Sequence, residues 1–436
     1  MKRRKFLKTA SAAGLGLVAP RRLAFLVPRP SEQVVVAVMG LNGRGAVLAR
    51  TFARATNAAV ASVCDVDSQV LAKAVTDVAG AQSKAPKGLG DFRRALEDKS
   101  VDALVIAAPD HWHTPAALLA MQAGKHVYVE KPCGHNAREG ELLVEAQRKH
   151  QRVVQMGTQQ RSAPRSIEIV EAIRQGAIGQ PYLARAWYAN TRATIGRGKA
   201  ASVPANLDYE LWQGPAPHTP YRDNVVHYNW HWFRRWGTGE ICNNGTHEID
   251  VARWALGVDY PVRVTSVGGR YHFDDDWQFP DTQEACFEFA GGKTIIWQGQ
   301  SCNGLTTYGR GRGTAILGTM GSVVMDRDGY TVYDLKDKVV KQSLAAQQGD
   351  GLNTHADDDM TAQHIANFVD AIRTGAALHQ PIEEGAKSVL LGHLGNIAQS
   401  TGRALRTDPA SGRITGDDEA MKLWQREYAP GWAPVV

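Results

Sequence analysis

Two hydrophobic patterns divide the chain. Between residues 33 and 157, short apolar runs alternate with stretches of helical period. Residues 33–39, 58–63, 126–129 and 152–156 read as strands, and 46–55, 116–123 and 137–149 as helices. The run 101–108 is apolar throughout, as in a strand buried on both faces. Strand–helix alternation of this kind predicts an α/β domain with a parallel sheet. The pattern changes from residue 158. After a helix over 165–174, the strands expected at 181–188, 263–270, 284–289, 294–300, 314–317 and 322–325 have few helices between them. This predicts an α+β domain with a large, mostly antiparallel open sheet. Helical period returns at 364–375 and 386–397, within a closing stretch at 361–404 read as scaffold. A chain of 436 residues is comfortable for two such domains. The expected division is 1–30, 31–157 and 158–436.

Charge changes the picture of the first thirty residues only. They carry eight basic side chains and no acidic one. Setting those eight aside leaves 42 basic and 44 acidic residues, a net charge of −2, so the basic pI near 9.0 belongs to the leader. The body has no basic excess to hold nucleic acid. The leader has a charged front and a short apolar stretch, the form of an export signal. Arg3-Arg4-Lys5-Phe6-Leu7-Lys8 resembles the twin-arginine signal, which implies the twin-arginine export machinery as a partner and a periplasmic protein exported folded with its cofactor. Leu23 to Pro28 prolongs the apolar character, so an uncleaved anchor is a second reading. Five scattered cysteines show no metal spacing and no disulfide framework.

The first strand ends at Gly40-Leu41-Asn42-Gly43-Arg44-Gly45, and a helix follows. Strand, glycine turn and helix are the setting of a dinucleotide fingerprint. Gly40 makes the tight turn, and Gly45 allows close helix–strand packing. Asn42 stands where a glycine is usual, but asparagine tolerates left-handed backbone and Gly43 is beside it. Asp65 follows the second strand, where an acidic side chain binds the adenosine ribose and repels the extra phosphate of NADP. NAD is therefore the expected cofactor. The competing reading of Asp65 is a helix N-cap, a role for which Asp67 and Ser68 also compete. Pro109, Asp110 and His113 follow the next strand at its carboxyl end, where open α/β sheets bind ligands. His111 and His113 sit two apart, yet no Asp, Glu or Cys nearby completes a metal set.

After the strand at 126–129 comes Glu130-Lys131-Pro132. With the fingerprint and Ala107-Ala108-Pro109-Asp110-His111-Trp112-His113 before it, this resembles the glucose–fructose oxidoreductase / inositol dehydrogenase (Gfo/Idh/MocA) family. The resemblance runs from Val34 to about His272 and resumes near His364. It implies a Rossmann domain and a second domain whose sheet faces the cofactor and makes homo-oligomer contacts. It also implies that Lys131 stands between nicotinamide and substrate, often before a cis proline, and that Glu130 contacts the nicotinamide ribose. A partly desolvated lysine suits proton transfer with a sugar hydroxyl.

The stretch Cys242-Asn243-Asn244-Gly245-Thr246-His247-Glu248-Ile249-Asp250 sits where the family carries an Asp and, four residues later, a His that flank the reacting hydroxyl. His247 keeps its position. Asn243 replaces the Asp, and an amide orients or binds but is no base. His247 and Lys131 would then share proton transfer, with Asn243 at the substrate. Asp250 reads as a hydrogen-bonding residue inside the helix. Residues 209–236 just before are dense in rings, with Tyr228, Trp230 and Trp232 the candidates to stack on a sugar. The other reading of that cluster is a hydrophobic patch under a long loop. Arg161, Arg165, Arg192 and Arg234 could add polar contacts.

An exported enzyme has no pool of free NADH. This favours tightly bound NAD restored in each turnover, with a sugar or glycoside oxidised at C3. Alternatives are a redox-neutral glycoside hydrolase, as in the similar family-109 enzymes, a dehydrogenase with a separate electron acceptor, or a sugar-binding protein without turnover. The family-109 enzymes carry Tyr-Pro-Thr-His where this chain has Asn244-Gly245-Thr246-His247, which leaves their substrate unassigned here.

Overall fold

The computed structural model describes residues 33–345 and 359–436. The twin-arginine segment and the expected signal at 1–30 lie outside the described residues.

Six strands form the first sheet: β1 (Val34–Met39), β2 (Ala58–Cys64), β3 (Lys87–Leu89), β4 (Ala103–Ile106), β5 (His126–Val129) and β6 (Val154–Met156). They are parallel in the order β3-β2-β1-β4-β5-β6. The chain reverses its direction of spread between β1 and β4, the switch point where such sheets take a ligand. The helices between them are α1 (Arg44–Arg54), α2 (Ser68–Ala79), α3 (Arg93–Glu97), α4 (Asp110–Gln122) and α5 (Ala137–His150). Asp67, not Asp65, caps α2, its Oδ1 accepting from the amides of Gln69 and Val70.

The helix expected from 116 begins six residues earlier, at Asp110, as α4. Pro115 sits inside that helix, where it can donate no bond to the carbonyl of residue 111. Arg426 Nη2 supplies the donor instead, 2.7 Å from the His111 carbonyl. A contact from the far end of the chain thus lets the helix run through its proline.

The second sheet has eleven strands. They are β7 (Pro181–Thr191), β8 (Arg263–Gly269), β9 (Thr282–Glu288), β10 (Thr294–Gln300), β11 (Cys302–Asn303), β12 (Arg312–Gly318), β13 (Ser322–Met325), β14 (Gly329–Tyr333), β15 (Val339–Leu344), β16 (Leu405–Thr407) and β17 (Ile414–Thr415). All pairs are antiparallel except β7 with β10. The remaining helices in chain order are α6 (Pro164–Arg174), α7 (Tyr209–Gln213), α8 (Gly239–Asn243), α9 (Gly245–Leu256), α10 (Asp359–Thr374) and α11 (Ile382–Thr401). α9 and α11 lie on one face of this sheet, where Ile249, Leu391 and Leu394 pack with Phe287, Ile295 and Trp297.

Two segments tie the domains together. α10 returns to the first domain, where Ile365, Phe368 and Val369 join Val36, Val38, Phe52 and Tyr128 in one core. Burying a side chain such as Phe368 contributes about 1.5–3 kcal/mol. Residues 192–236 form a strap that leaves the end of β7 and crosses back over the first domain.

Candidate active site

α8 and α9 are nearly one helix, broken at Asn244. Gly245 lets the break pack closely, since a Cβ there would come 3.1 Å from the buried indole of Trp297. The break directs Asn243 and His247 toward the first domain. Opposite them, β5 ends in Glu130 and Lys131, with a cis peptide before Pro132. Lys131 Nζ donates to the Asn243 carbonyl (2.7 Å) and to its Oδ1 (3.1 Å). Lys131, Asn243 and His247 line one cavity with Asn42, Gly43, Arg44, Asp110, His113, Glu130, Tyr228 and Trp230. All of these are residues that the sequence singles out for cofactor or substrate.

Each carries its own constraint. Burial, then the charges of Lys131, Arg312, Arg327 and Arg44, push the His247 pKa well below its ordinary value, so the ring is neutral. Burial also lowers the Lys131 pKa, against the pull of Glu130 and Asp110. Burial would raise the Glu130 pKa, but Arg44 and Lys131 outweigh it and hold the carboxylate ionised. Arg44 Nε donates to Glu130 at 2.9 Å and Gln159 Nε2 at 2.8 Å. The His113 ring nitrogens lie 2.7 and 2.6 Å from the Ala108 and Pro132 carbonyls, bracing the two loops that carry Asp110 and Lys131. His111 Nε2 is engaged by the Trp212 carbonyl. Among the described residues there is no cluster of three metal-ligating side chains.

A second cavity continues from this one through Asn42, Ala107, Ala108, His227 and Trp230. Its floor is Gly40, Leu41, Asp65, Val66 and Pro109, and its cover is Leu211, Trp212, His227 and Trp230 from the strap. The floor fits a dinucleotide. Gly40 has φ +79°, and a Cβ on it would lie 2.6 Å from the Ala108 backbone. A Cβ on Gly45 would run into the Gly40 carbonyl, so its role is packing rather than lining. Asp65 accepts from the Leu41 amide (2.7 Å) and the Asp67 amide (2.9 Å), which fixes its carboxylate in the pocket. Each of its oxygens keeps a lone pair for a ribose hydroxyl.

The strap is fastened to this rim. Asp208 N donates to the Val66 carbonyl (3.0 Å), and Ser68 N to the Asn206 carbonyl (2.9 Å). Asn206 Nδ2 donates to Asp67 (2.7 Å), and Trp112 Nε1 to the Trp212 carbonyl (3.0 Å). His227 Nε2 lies 3.0 Å from the Asp67 carboxylate.

Trp232 is a correction. It is 1% exposed and stacked on Trp277 with centroids 3.9 Å apart, so it supports the strap and faces no sugar. Arg161 is also spent elsewhere, paired through two nitrogens with buried Asp250 at 2.8 Å. Asp250 is thus the hydrogen-bonding residue expected inside the helix, also taking Ser388 and Gln380. Arg192 does line the cavity, together with Tyr188 and Asn190, which sequence reasoning missed. The signal for those two was strand period: 188 and 190 fall on one side of β7, and 192, just past its end, keeps the alternation.

Comparison with known proteins agrees with this geometry. Residues 34–158 match the family model "Oxidoreductase family, NAD-binding Rossmann fold", and residues 186–433 match "Oxidoreductase family, C-terminal alpha/beta domain". A glycosyl hydrolase family 109 protein of Saccharopolyspora erythraea is 35% identical over 171 residues, 34% of this chain and 37% of that protein. An inositol 2-dehydrogenase of Rubrobacter xylanophilus is 32% identical over 162 residues, 37% of this chain and 45% of the relative. The matches thus span less than half the length of these curated relatives. The fold is shared with aldose-aldose oxidoreductase from Caulobacter crescentus (TM-score 0.66, 18% identity, 86% of this chain and 99% of that one). It is shared equally with a levoglucosan dehydrogenase solved with NADH and levoglucosan (TM-score 0.65, 18% identity, 86% and 99%). The chain belongs to the Gfo/Idh/MocA oxidoreductase family, with an NAD-binding Rossmann domain joined to the family's C-terminal α/β domain.

Proposed function

We propose that this protein acts on a carbohydrate or glycoside with an NAD that stays bound and is restored in each turnover, beginning with oxidation at C3 of the sugar. The observation that carries the reading is the strap, which covers the pocket at the Asp65 end and is bonded to its rim. A dehydrogenase that exchanges NAD for NADH at every cycle has to open such a cover each time.

Gly40, Asn42 and Gly43 would hold the pyrophosphate, Asp65 the adenosine ribose, and Glu130 with Lys131 the nicotinamide end. When bound, NAD supplies hydride acceptance and hydride return. The protein supplies the rest. Neutral His247 takes the hydroxyl proton, Lys131 bonds the same oxygen, and Asn243 holds Lys131 in place. Tyr228 and Trp230 offer ring surface to the sugar, and Tyr188, Asn190 and Arg192 offer polar atoms to its hydroxyls.

A second reading is a redox-neutral glycoside hydrolase. A ketone at C3 acidifies the C2 proton, a base removes it, the aglycone leaves from C1, water adds, and the ketone is reduced again. Covered NAD favours this cycle equally, and the Saccharopolyspora relative bears a glycoside hydrolase name. One experiment separates the two. The purified protein is given a glycoside panel without added cofactor while released aglycone and enzyme-bound NADH absorbance are followed. Aglycone release without net NADH marks the hydrolase. NADH that accumulates once per site, until a second sugar or an electron acceptor discharges it, marks the oxidoreductase. Protein that purifies without NAD and binds it only loosely would sink the proposal.

A further inference from the structure

We infer that Glu240 is a positioning residue for Lys131, supplying from behind the active-site wall the carboxylate that Asn243 lacks. The inference rests on the reading of Lys131 as a proton-transferring group. Glu240 is 5% exposed and does not line the cavity. Its Oε2 accepts from Arg192 Nε (2.8 Å) and Ser301 Oγ (3.0 Å). Its Oε1 accepts from the side-chain amides of Asn243 (3.3 Å) and Asn244.

A carboxylate only accepts hydrogen bonds, so the NH2 end of Asn243 must face it. The carbonyl end of the same amide then faces the other way, and there it meets the ammonium of Lys131 at 3.1 Å. Glu240 therefore sets the direction of the Asn243 dipole, and the dipole relays its negative charge to the lysine. Burial would favour protonated Glu240, but the Arg192 guanidinium outweighs it and keeps the group ionised.

The arrangement gives a reason for asparagine at 243. An aspartate there would touch Glu240, and two carboxylates at that distance cannot both stay charged. Asn243 and Glu240 thus form one unit. The same carboxylate holds Arg192, whose Nη1 and Nη2 reach the hydroxyls of Tyr228 (2.9 Å) and Tyr188 (3.2 Å). The sugar-facing hydroxyls and the lysine share one buried anchor. The other charged or titratable groups facing Lys131 are Glu130, Asp110, Arg312 and His247.

The test reads Lys131 directly in the NAD-bound protein. Trace acetylation with acetic anhydride across a pH series, followed by peptide mass spectrometry, gives the reactivity of Lys131 relative to surface lysines. Glu240→Gln removes a charge that favours the ammonium, so Lys131 should label several-fold faster near neutral pH, with its midpoint at lower pH. Asn243→Asp added to Glu240→Gln places the carboxylate beside the lysine and should return labelling to the wild-type level or below. Unchanged labelling in Glu240→Gln, or no reversal in the double variant, overturns the inference. Should Glu240→Gln fail to fold with NAD, Glu240→Asp keeps the Arg192 pair but withdraws from Asn243. It should then move labelling in the same direction by less, and no movement there overturns the inference too. Shifted labelling in a protein inactive on every sugar would count against the proposed function and leave this inference standing.

Discussion

In the proposed reaction His247 and Lys131 would hold different burdens at the reacting oxygen. Replacing His247 with Asn, or Lys131 with Met, should cut hydride transfer by about 10²–10⁴-fold, the usual worth of a general acid or base. Neither side chain lines the pocket at the Asp65 end, and Glu130 keeps its place at the nicotinamide end, so the NAD released on denaturing either variant should match the wild type. Full activity in the double variant would remove both from the mechanism. Both residues were singled out in the sequence through the family resemblance, Lys131 in Glu130-Lys131-Pro132 after a strand and His247 four residues after Asn243. Glu240 was not legible. Three residues before Asn243, it is one acid in a polar stretch, and only the amide direction in the folded protein reveals its use. Trp232 failed for the opposite reason. A ring-rich segment must spend some rings on its own core, and composition does not say which.

The strap is the element that links cover to chemistry. Gly214 lies in it at φ +41°, a region costly for any other residue, and a Cβ there would enter the Trp112 indole. Gly214→Ala should therefore loosen the cover, by displacing Trp112, which also lines the pocket. Exchange of bound NAD against deuterated NAD, read by mass spectrometry, should quicken by at least about tenfold. Unchanged exchange would mean that the strap does not hold the cofactor. At this scale the sequence read well wherever pattern was strong: β1, β2, β5 and the long strands of the second sheet lie close to where the period predicts. It missed β3, whose three residues, Lys87 to Leu89, are too few to show a period, and the tail strands β16 and β17 for the same reason; it also ended the sheet at β13 and missed β14 and β15. It also began α4 six residues late, because the donor that lets Pro115 stay helical comes from Arg426, more than three hundred residues away.

Across the molecule, several histidines are buried neutral. Burial holds the His111 pKa down at about 3, and those of His364 and His393 at about 4. Unfolded, each takes a proton near pH 6.5. Below that pH the unfolded chain binds more protons than the fold, so stability is complete above pH 6.5 and is lost as pH falls toward 4. The melting temperature should drop steadily across that window, and His393→Gln should flatten part of the slope. A melting temperature level from pH 7 to 4 would contradict the burial of these rings.

The two halves were legible as an alternating domain followed by a sheet-rich one, but their interdependence was not. In chain order the floor for the nucleotide is complete by Gly157, while its cover arrives with residues 206–236 and one of its core helices with 359–374. The boundary that looks natural for cutting the gene is therefore a poor one. A fragment ending at 157 would expose Val36, Val38 and Phe52 where α10 belongs, and would leave the ribose carboxylate open to water. It should aggregate or bind NAD only weakly. On this layout, firm capture of the nucleotide would wait for residues 206–236 and 359–374, long after its floor has left the ribosome.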